Sequence, residues 1–144
     1  MVNSIDELKE IMNKNCYNYN FYSIDGNVIY EGFGIDKSGE LFIWYYTERG
    51  DRENLKYFRT EAEIAQYAYE IIINDKFAKS HLISCTTDRK VKENLIKILN
   101  NRQISYWVDE IPSRNEIMFR IYVIGCDIEK VEDLITVKKI DLKN

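Results

Sequence analysis

The stretch Leu41-Phe42-Ile43-Trp44-Tyr45-Tyr46-Thr47-Glu48-Arg49-Gly50-Asp51 decides the fold. Its first six residues all favour β structure and carry large side chains toward both faces. A run of six is too short for a typical helix and indicates a strand that is covered on both sides. Gly50 can adopt a positive φ, so the strand is predicted to end in a turn. The alternation over residues 55–59 predicts a second short strand after that turn.

A capped helix is predicted directly after these strands. Thr60 and Glu63 have capping-box spacing, in which the hydroxyl accepts a hydrogen bond from the Glu63 amide and the carboxylate reaches back to the Thr60 amide. The apolar residues that follow recur at helical spacing and predict an amphipathic helix over residues 60–76. They are Ile64, Tyr67, Ala68, Ile71 and Ile72.

The segments upstream predict a helix and a meander. Ser4 and Glu7 form a second capping box, which indicates an N-terminal helix ending near Asn15. Residues 17–59 are predicted to form an antiparallel meander of four strands, with Asp25-Gly26 as a hairpin turn. We expect one α+β domain over residues 1–144, with a mixed, mostly antiparallel sheet and helices packed on it.

The second half of the chain predicts a βαββ unit followed by a short helix. A strand at 81–86 precedes a helix that Thr87 or Asp88 caps. The remaining predicted elements are a strand at 104–110, a loop at 112–115, a strand at 117–124 with its apolar face at Ile117, Phe119, Ile121 and Val123, a helix capped by Asp127, and an edge strand or tail at 137–142.

Composition restricts the class of function. The chain has 24 acidic and 20 basic residues and a net charge of −4. A dedicated nucleic-acid binder would need clustered Lys and Arg, so this balance argues against one. We see no signal peptide and no run long enough to span a membrane, and therefore expect a cytoplasmic protein. The odd number of cysteines, three, then predicts free thiols.

Residues capable of catalysis are few. His81 is the single histidine, and Cys85 follows four residues later. Residues 81 and 85 of one strand share a face, so a Cys-His contact in a small enzymatic or ligand-binding pocket is one alternative. An activated thiol also needs a positive setting and a partner for the base, which the sequence does not indicate. We predict no catalytic residues, no metal site and no cofactor.

Two acidic groups and three aromatic residues are the candidates for binding a partner. Acidic side chains at rigid strand ends can bind a basic protein, and aromatic side chains anchor protein interfaces. Stacking on single-stranded nucleic acid would require a basic groove that is not evident. The candidates are Glu48, Asp51 and Glu53, then Asp109 and Glu110, with Trp44, Tyr45 and Trp107 as anchors.

A loose resemblance points to a function. Tyr46-Thr47-Glu48-Arg49-Gly50, followed by Phe58-Arg59-Thr60-Glu61-Ala62-Glu63 opening a helix, resembles small immunity proteins of bacterial polymorphic toxin and contact-dependent inhibition systems. The resemblance covers about thirty residues. It gives structural roles to Arg49, Gly50, Phe58, Thr60 and Glu63. Gly50 is expected to form the turn, and Arg49 to tie the loop to a carboxylate.

The resemblance implies an antitoxin that is not an enzyme. Such a protein binds and blocks a cognate toxin, commonly a nuclease with a basic cleft, through protein–protein contact. It touches neither nucleic acid nor a membrane. Three alternatives remain open. They are a small enzyme or ligand-binding domain with a pocket near His81 and Cys85, a homo-oligomeric structural domain with an exposed sheet edge that pairs across a two-fold axis, and a nucleic-acid-binding regulator.

Overall fold

The computed structural model describes residues 1–137 and confirms the α+β class. The chain divides into two compact units, Met1–Lys79 and a second unit that begins at Ser80. Each unit has its own sheet, so the strands form two sheets instead of the single sheet predicted. No helix within these residues is long and apolar enough to cross a membrane.

The helices and strands of the first unit are α1 (Ile5–Lys14), β1 (Tyr22–Ser23), β2 (Glu31–Ser38), β3 (Leu41–Glu48), β4 (Asp51–Phe58) and α2 (Glu61–Ile73). Those of the second unit are β5 (Ser80–Thr86), α3 (Arg89–Asn101), β6 (Tyr106–Ser113) and β7 (Glu116–Ile124), followed by 3-10 helices at Gly125–Lys130 and Glu132–Leu134.

The first sheet has the strand order β1-β2-β3-β4. The three longer strands form an antiparallel meander, but β1 pairs in parallel with β2. The predicted antiparallel first strand at 17–22 and its Asp25-Gly26 hairpin are therefore wrong. The reason is Asn27, whose side chain bonds the Tyr22 carbonyl at 2.9 Å and the Ile24 amide at 3.0 Å. These bonds satisfy loop backbone groups that a hairpin would have paired.

The turn between β3 and β4 matches the prediction. Arg49 has φ 52° and Gly50 has φ 84°, the two positive values that a two-residue hairpin turn requires. Glu48 pairs directly with Asp51 across this turn. The structural role predicted for Gly50 is thus confirmed, and Arg49 contributes a left-handed backbone conformation to the same turn.

Both helices of the first unit cover the same face of the sheet. Trp44 lies in that core, with its ring stacked on Phe33 at 5.6 Å and edge-on to Tyr67 of α2 at 5.7 Å. The Thr60 hydroxyl accepts a hydrogen bond from the Glu63 amide at 3.2 Å, as predicted. The Glu63 carboxylate accepts from the Thr60 hydroxyl instead of the amide, which corrects half of the capping box.

The second sheet is antiparallel with the strand order β5-β7-β6. Asp88 caps α3, and this helix packs on one face of the sheet over a core of Ile83, Leu95, Leu99, Ile121 and Val123. Ile117, predicted to share the buried face, is 43% exposed because it lies near the end of the β6–β7 hairpin.

The end of the second unit differs from the prediction. The segment predicted as an α-helix capped by Asp127 is a 3-10 helix that already includes Asp127. The Asp127 carboxylate forms an ion pair with Lys130 at 3.0 Å. The predicted edge strand or tail at 137–142 lies outside the described residues except for Val137.

Candidate functional site

Four carboxylates lie at one end of the first sheet. The register places Glu31, Glu48 and Asp51 side by side across β2, β3 and β4, and Glu53 lies two residues further along β4, opposite Tyr46. We call Glu31, Glu48, Asp51 and Glu53 the acidic row. All four are exposed. Like charges directly opposite one another destabilise a sheet, so the acidic row lowers the stability of the fold.

Tyr46 connects the acidic row to the core. Its hydroxyl oxygen lies 3.2 Å from the Glu31 carboxylate and 3.4 Å from that of Glu48, so its one proton is donated to either or shared between them. Its ring lies 5.2 Å from that of Phe33, which stacks on Trp44. Burial, and then the hydrogen bond and charge of Glu31, raise the pKa of Tyr46 above its usual value. The carboxylates of Glu31 and Glu48 are therefore positioned by a tyrosine whose ring packs against the aromatic core.

A shallow depression of about 370 Å³ lies at this end of the sheet and is lined by Tyr46, Glu48, Arg49, Asp51, Arg52 and Glu53. Arg52 is paired with Asp36 at 2.8 Å, and its guanidinium lies 3.9 Å from the ring centre of Tyr45. Its charge is therefore largely offset, and Arg49 is the other cation that lines the depression. Three of the six lining side chains are carboxylates, so the depression can attract a positively charged group.

Tyr45 is held against the other face of the sheet. A Cβ on Gly34 would meet the Tyr45 ring at 2.3 Å, so glycine is what lets the ring lie across β2. The amide of Lys37 and, next, the Arg52 guanidinium lower the pKa of Asp36. Tyr45 is half-buried in this arrangement, which leaves part of the ring available to a partner.

The structure corrects one of the three predicted anchors, Trp44. Trp44 is 1% exposed and cannot contact a partner. Trp107 is half-buried, stacked on Tyr122 with ring centres 4.0 Å apart, and its indole N–H donates to the Ser80 hydroxyl at 2.8 Å. Five exposed apolar side chains of the first unit were not predicted as contact residues, because the sequence pattern does not show which loop and edge-strand side chains stay exposed. They are Phe21, Val28, Tyr30, Leu55 and Tyr57.

The second predicted acidic group does not resemble the first. Asp109 and Glu110 lie in the middle of β6 and not at a strand end. Asp109 forms a two-bond ion pair with Arg120, at 2.8 and 2.5 Å, so its charge is neutralised within the fold. Glu110 is exposed and stands opposite Phe119 on the neighbouring strand. Only Glu110 of this pair keeps the character expected of a partner-binding carboxylate.

The predicted His81–Cys85 contact is wrong. The register shifts between Leu82 and Ser84, so His81 pairs with Val123 while Cys85 pairs with Arg120. Val123 and Arg120 lie three residues apart on β7 and face opposite sides of the sheet. The extra residue on β5 therefore sends His81 and Cys85 to different faces, and the alternative of a shared pocket loses its basis.

The cysteines also differ from the prediction. Cys85 is a free, exposed thiol whose sulfur lies 3.0 Å from that of Met118. Cys16 and Cys126 are each disulfide-bonded, so the expectation of free thiols is wrong for these two. Sequence spacing gave no signal for this bonding, because no Cys-x-x-Cys pair is present.

Comparisons with known proteins gave no match. No family model, no characterised protein and no solved structure matches the chain. Among residues 1–137, no group of three or more His, Cys, Asp and Glu side chains is placed to hold a metal ion.

Proposed function

We propose that the chain is an immunity protein that binds and neutralises a cognate protein toxin through the acidic row. The observation that carries the proposal is the alignment of Glu31, Glu48 and Asp51 across three adjacent strands. The resemblance of residues 46–50 and 58–63 to immunity proteins supports it independently of the geometry.

The acidic row suits a basic partner. Concentrated negative charge on a packed support accelerates encounter with a positively charged protein and selects against acidic ones. A toxin that cleaves nucleic acid needs a basic cleft for its substrate, so such a cleft is the expected contact. Binding there would block the substrate without any catalysis by the immunity protein.

The first experiment is a growth assay. The toxin candidate is the C-terminal domain encoded by the gene immediately upstream, expressed with and without this chain. We expect growth to stop with the toxin alone, and to recover with the pair, which should co-purify. Toxicity without rescue and without a complex would rule out this pairing.

A charge-reversal variant tests whether the acidic row is the contact. Replacing Glu48, Asp51 and Glu53 by lysine should weaken toxin binding at least about a hundredfold, because close charge pairs at such interfaces are worth on the order of 1.5 kcal/mol or more each. The matched control reverses three exposed carboxylates outside the acidic row, Glu10, Glu40 and Glu93. Calorimetry that finds both triple variants equally impaired, or neither, would place the interface elsewhere.

The compartment of the encounter can be tested separately. We place neutralisation in the cytoplasm, as in the families that the motif resembles, but disulfide bonding of Cys16 and Cys126 is more typical of an oxidising compartment. Alkylation of thiols in intact cells, followed by mass spectrometry of the intact protein, distinguishes a reducing from an oxidising compartment. Three modified cysteines indicate a reducing compartment, and modification of Cys85 alone indicates an oxidising one.

A further inference from the structure

Strand β4 forms an open edge of the first sheet. It is last in the strand order, and no strand within residues 1–137 pairs with its outer side. Its residues 51–57 are all exposed, including Leu55 at 45% and Tyr57 at 55%. An edge of this kind presents unpaired backbone groups on which another strand can form.

A bulge in β4 sets which side chains share a face. Trp44 pairs with Lys56 and Tyr45 pairs with Asn54, so Leu55 is an extra residue without a partner on β3. In a regular strand, residues 53 and 56 would face opposite sides. The extra residue brings Glu53 and Lys56 to the same face, and it brings Arg52 and Tyr57 together on the other.

We propose that β4 pairs antiparallel with β4 of a second copy of this chain, with Glu53 of each copy opposite Lys56 of the other. A two-fold axis perpendicular to the sheet keeps the same face of both copies on the same side of the combined sheet. Two residues that stand opposite each other across the axis must therefore point to the same face. This register satisfies that condition through the bulge. It creates two ion pairs between Glu53 and Lys56, and it sets Arg52 opposite Tyr57 twice.

Several other registers of the β4 pair oppose residues that point to different faces or residues of like charge. A shift of one residue opposes side chains that point to different faces. Registers centred on Glu53 or on Lys56 oppose like charges at their centres, which destabilises an antiparallel pair. The proposed register differs from these three because it matches the faces on both sides of Leu55 and places Glu53 opposite Lys56.

The dimer should be weak, and its formation does not depend on the proposed function. An edge of eight residues buries less surface than the roughly 1,200 Å² of a stable interface, so we expect a dissociation constant on the order of 10–100 μM. Glu53 belongs to both the acidic row and the dimer contact. The variants that decide the question therefore change Lys56, which lies outside the acidic row.

The test is a charge swap followed by sedimentation equilibrium of the full chain without any toxin, from about 5 to about 500 μM protein. Lys56→Glu should weaken the dimer about tenfold to a hundredfold, because two attractive pairs become repulsive. The double variant Glu53→Lys with Lys56→Glu should restore most of the wild-type affinity. Lys37→Glu is the matched control, since Lys37 also lies over an aromatic ring but on β2, away from the edge.

Three results would overturn the proposal. They are a wild-type chain that stays monomeric up to about 500 μM, a dimer that Lys56→Glu leaves unchanged, and a double variant no better than the single one. Lys56 also lies over the rings of Phe58 and Tyr67, so its loss could loosen the fold. The double variant carries that same loss, and restored dimerisation would show that folding was not the cause.

Discussion

Replacing Glu48 by glutamine should stabilise the fold while weakening its function. Glu48 stands directly opposite Glu31 on one side and Asp51 on the other, so the substitution removes two like-charge contacts. Each such contact destabilises an antiparallel pair by roughly 0.2–1 kcal/mol. Because all three side chains are exposed and partly screened, we expect a gain of about 0.5–1 kcal/mol in the free energy of unfolding. Glutamine keeps an acceptor for the Tyr46 hydroxyl.

Urea unfolding followed by tryptophan fluorescence measures this gain. The chain has two tryptophans, so a Trp107→Phe background leaves Trp44 as the single reporter of the first unit. Raising the salt to about 1 M should remove most of the gain, because the screening length falls to about 3 Å. Glu40→Gln, in the turn between β2 and β3, is the control and should change little. A variant that is no more stable at low salt, or equally stabilised at high salt, would refute the reasoning.

Three further substitutions test the contacts of the first unit. Gly34→Ala should cost about 1–3 kcal/mol in urea unfolding, because its new methyl group would meet the Tyr45 ring at 2.3 Å; an unchanged midpoint would show that the ring moves freely. Tyr22→Phe should cost about 1–3 kcal/mol by removing the 2.6 Å hydrogen bond to the Asp75 carboxylate, and a smaller change at pH 7 would contradict it. The pKa of Asp36 is lowered in the fold, so its contribution to stability is present above about pH 4 and is lost as the pH falls through its folded pKa. Asp36→Asn should therefore be less stable than wild type at pH 7, and the difference should shrink as the pH falls; a constant difference would disprove the assignment.

Local chemistry allowed the sequence to predict the helices and the central turn. The Thr60 cap and the apolar spacing of residues 64–72 place α2, and Gly50 places the turn, because each depends on residues close in the chain. The same locality brought Glu48, Asp51 and Glu53 together correctly. Glu31 was missed since it joins the acidic row only through the β2–β3 register, seventeen positions away from Glu48.

Local chemistry could not decide which face of β3 is buried against the helices. Trp44 and Tyr45 are both large and aromatic, so the pattern does not show which of them faces the helices. The structure places Trp44 in the core and Tyr45 on the other face, where Gly34 makes room for its ring. A tryptophan chosen as an anchor was thus a core residue.

Two strands, β5 and β4, each contain one extra residue, and these two residues decide which functional proposals the structure supports. Alternation by two is the assumption behind every argument from sequence about the faces of a strand, and one inserted residue reverses it for the rest of that strand. In β5 the irregularity near Ile83 separates His81 from Cys85 and removes the case for a shared catalytic pocket. In β4 the extra Leu55 has the opposite effect, because it brings Glu53 and Lys56 to one face and makes the edge complementary to itself. Deleting Leu55 should therefore abolish the proposed dimer even though every charge on the strand is retained, and a dimer that persists would mean that the bulge does not set its register.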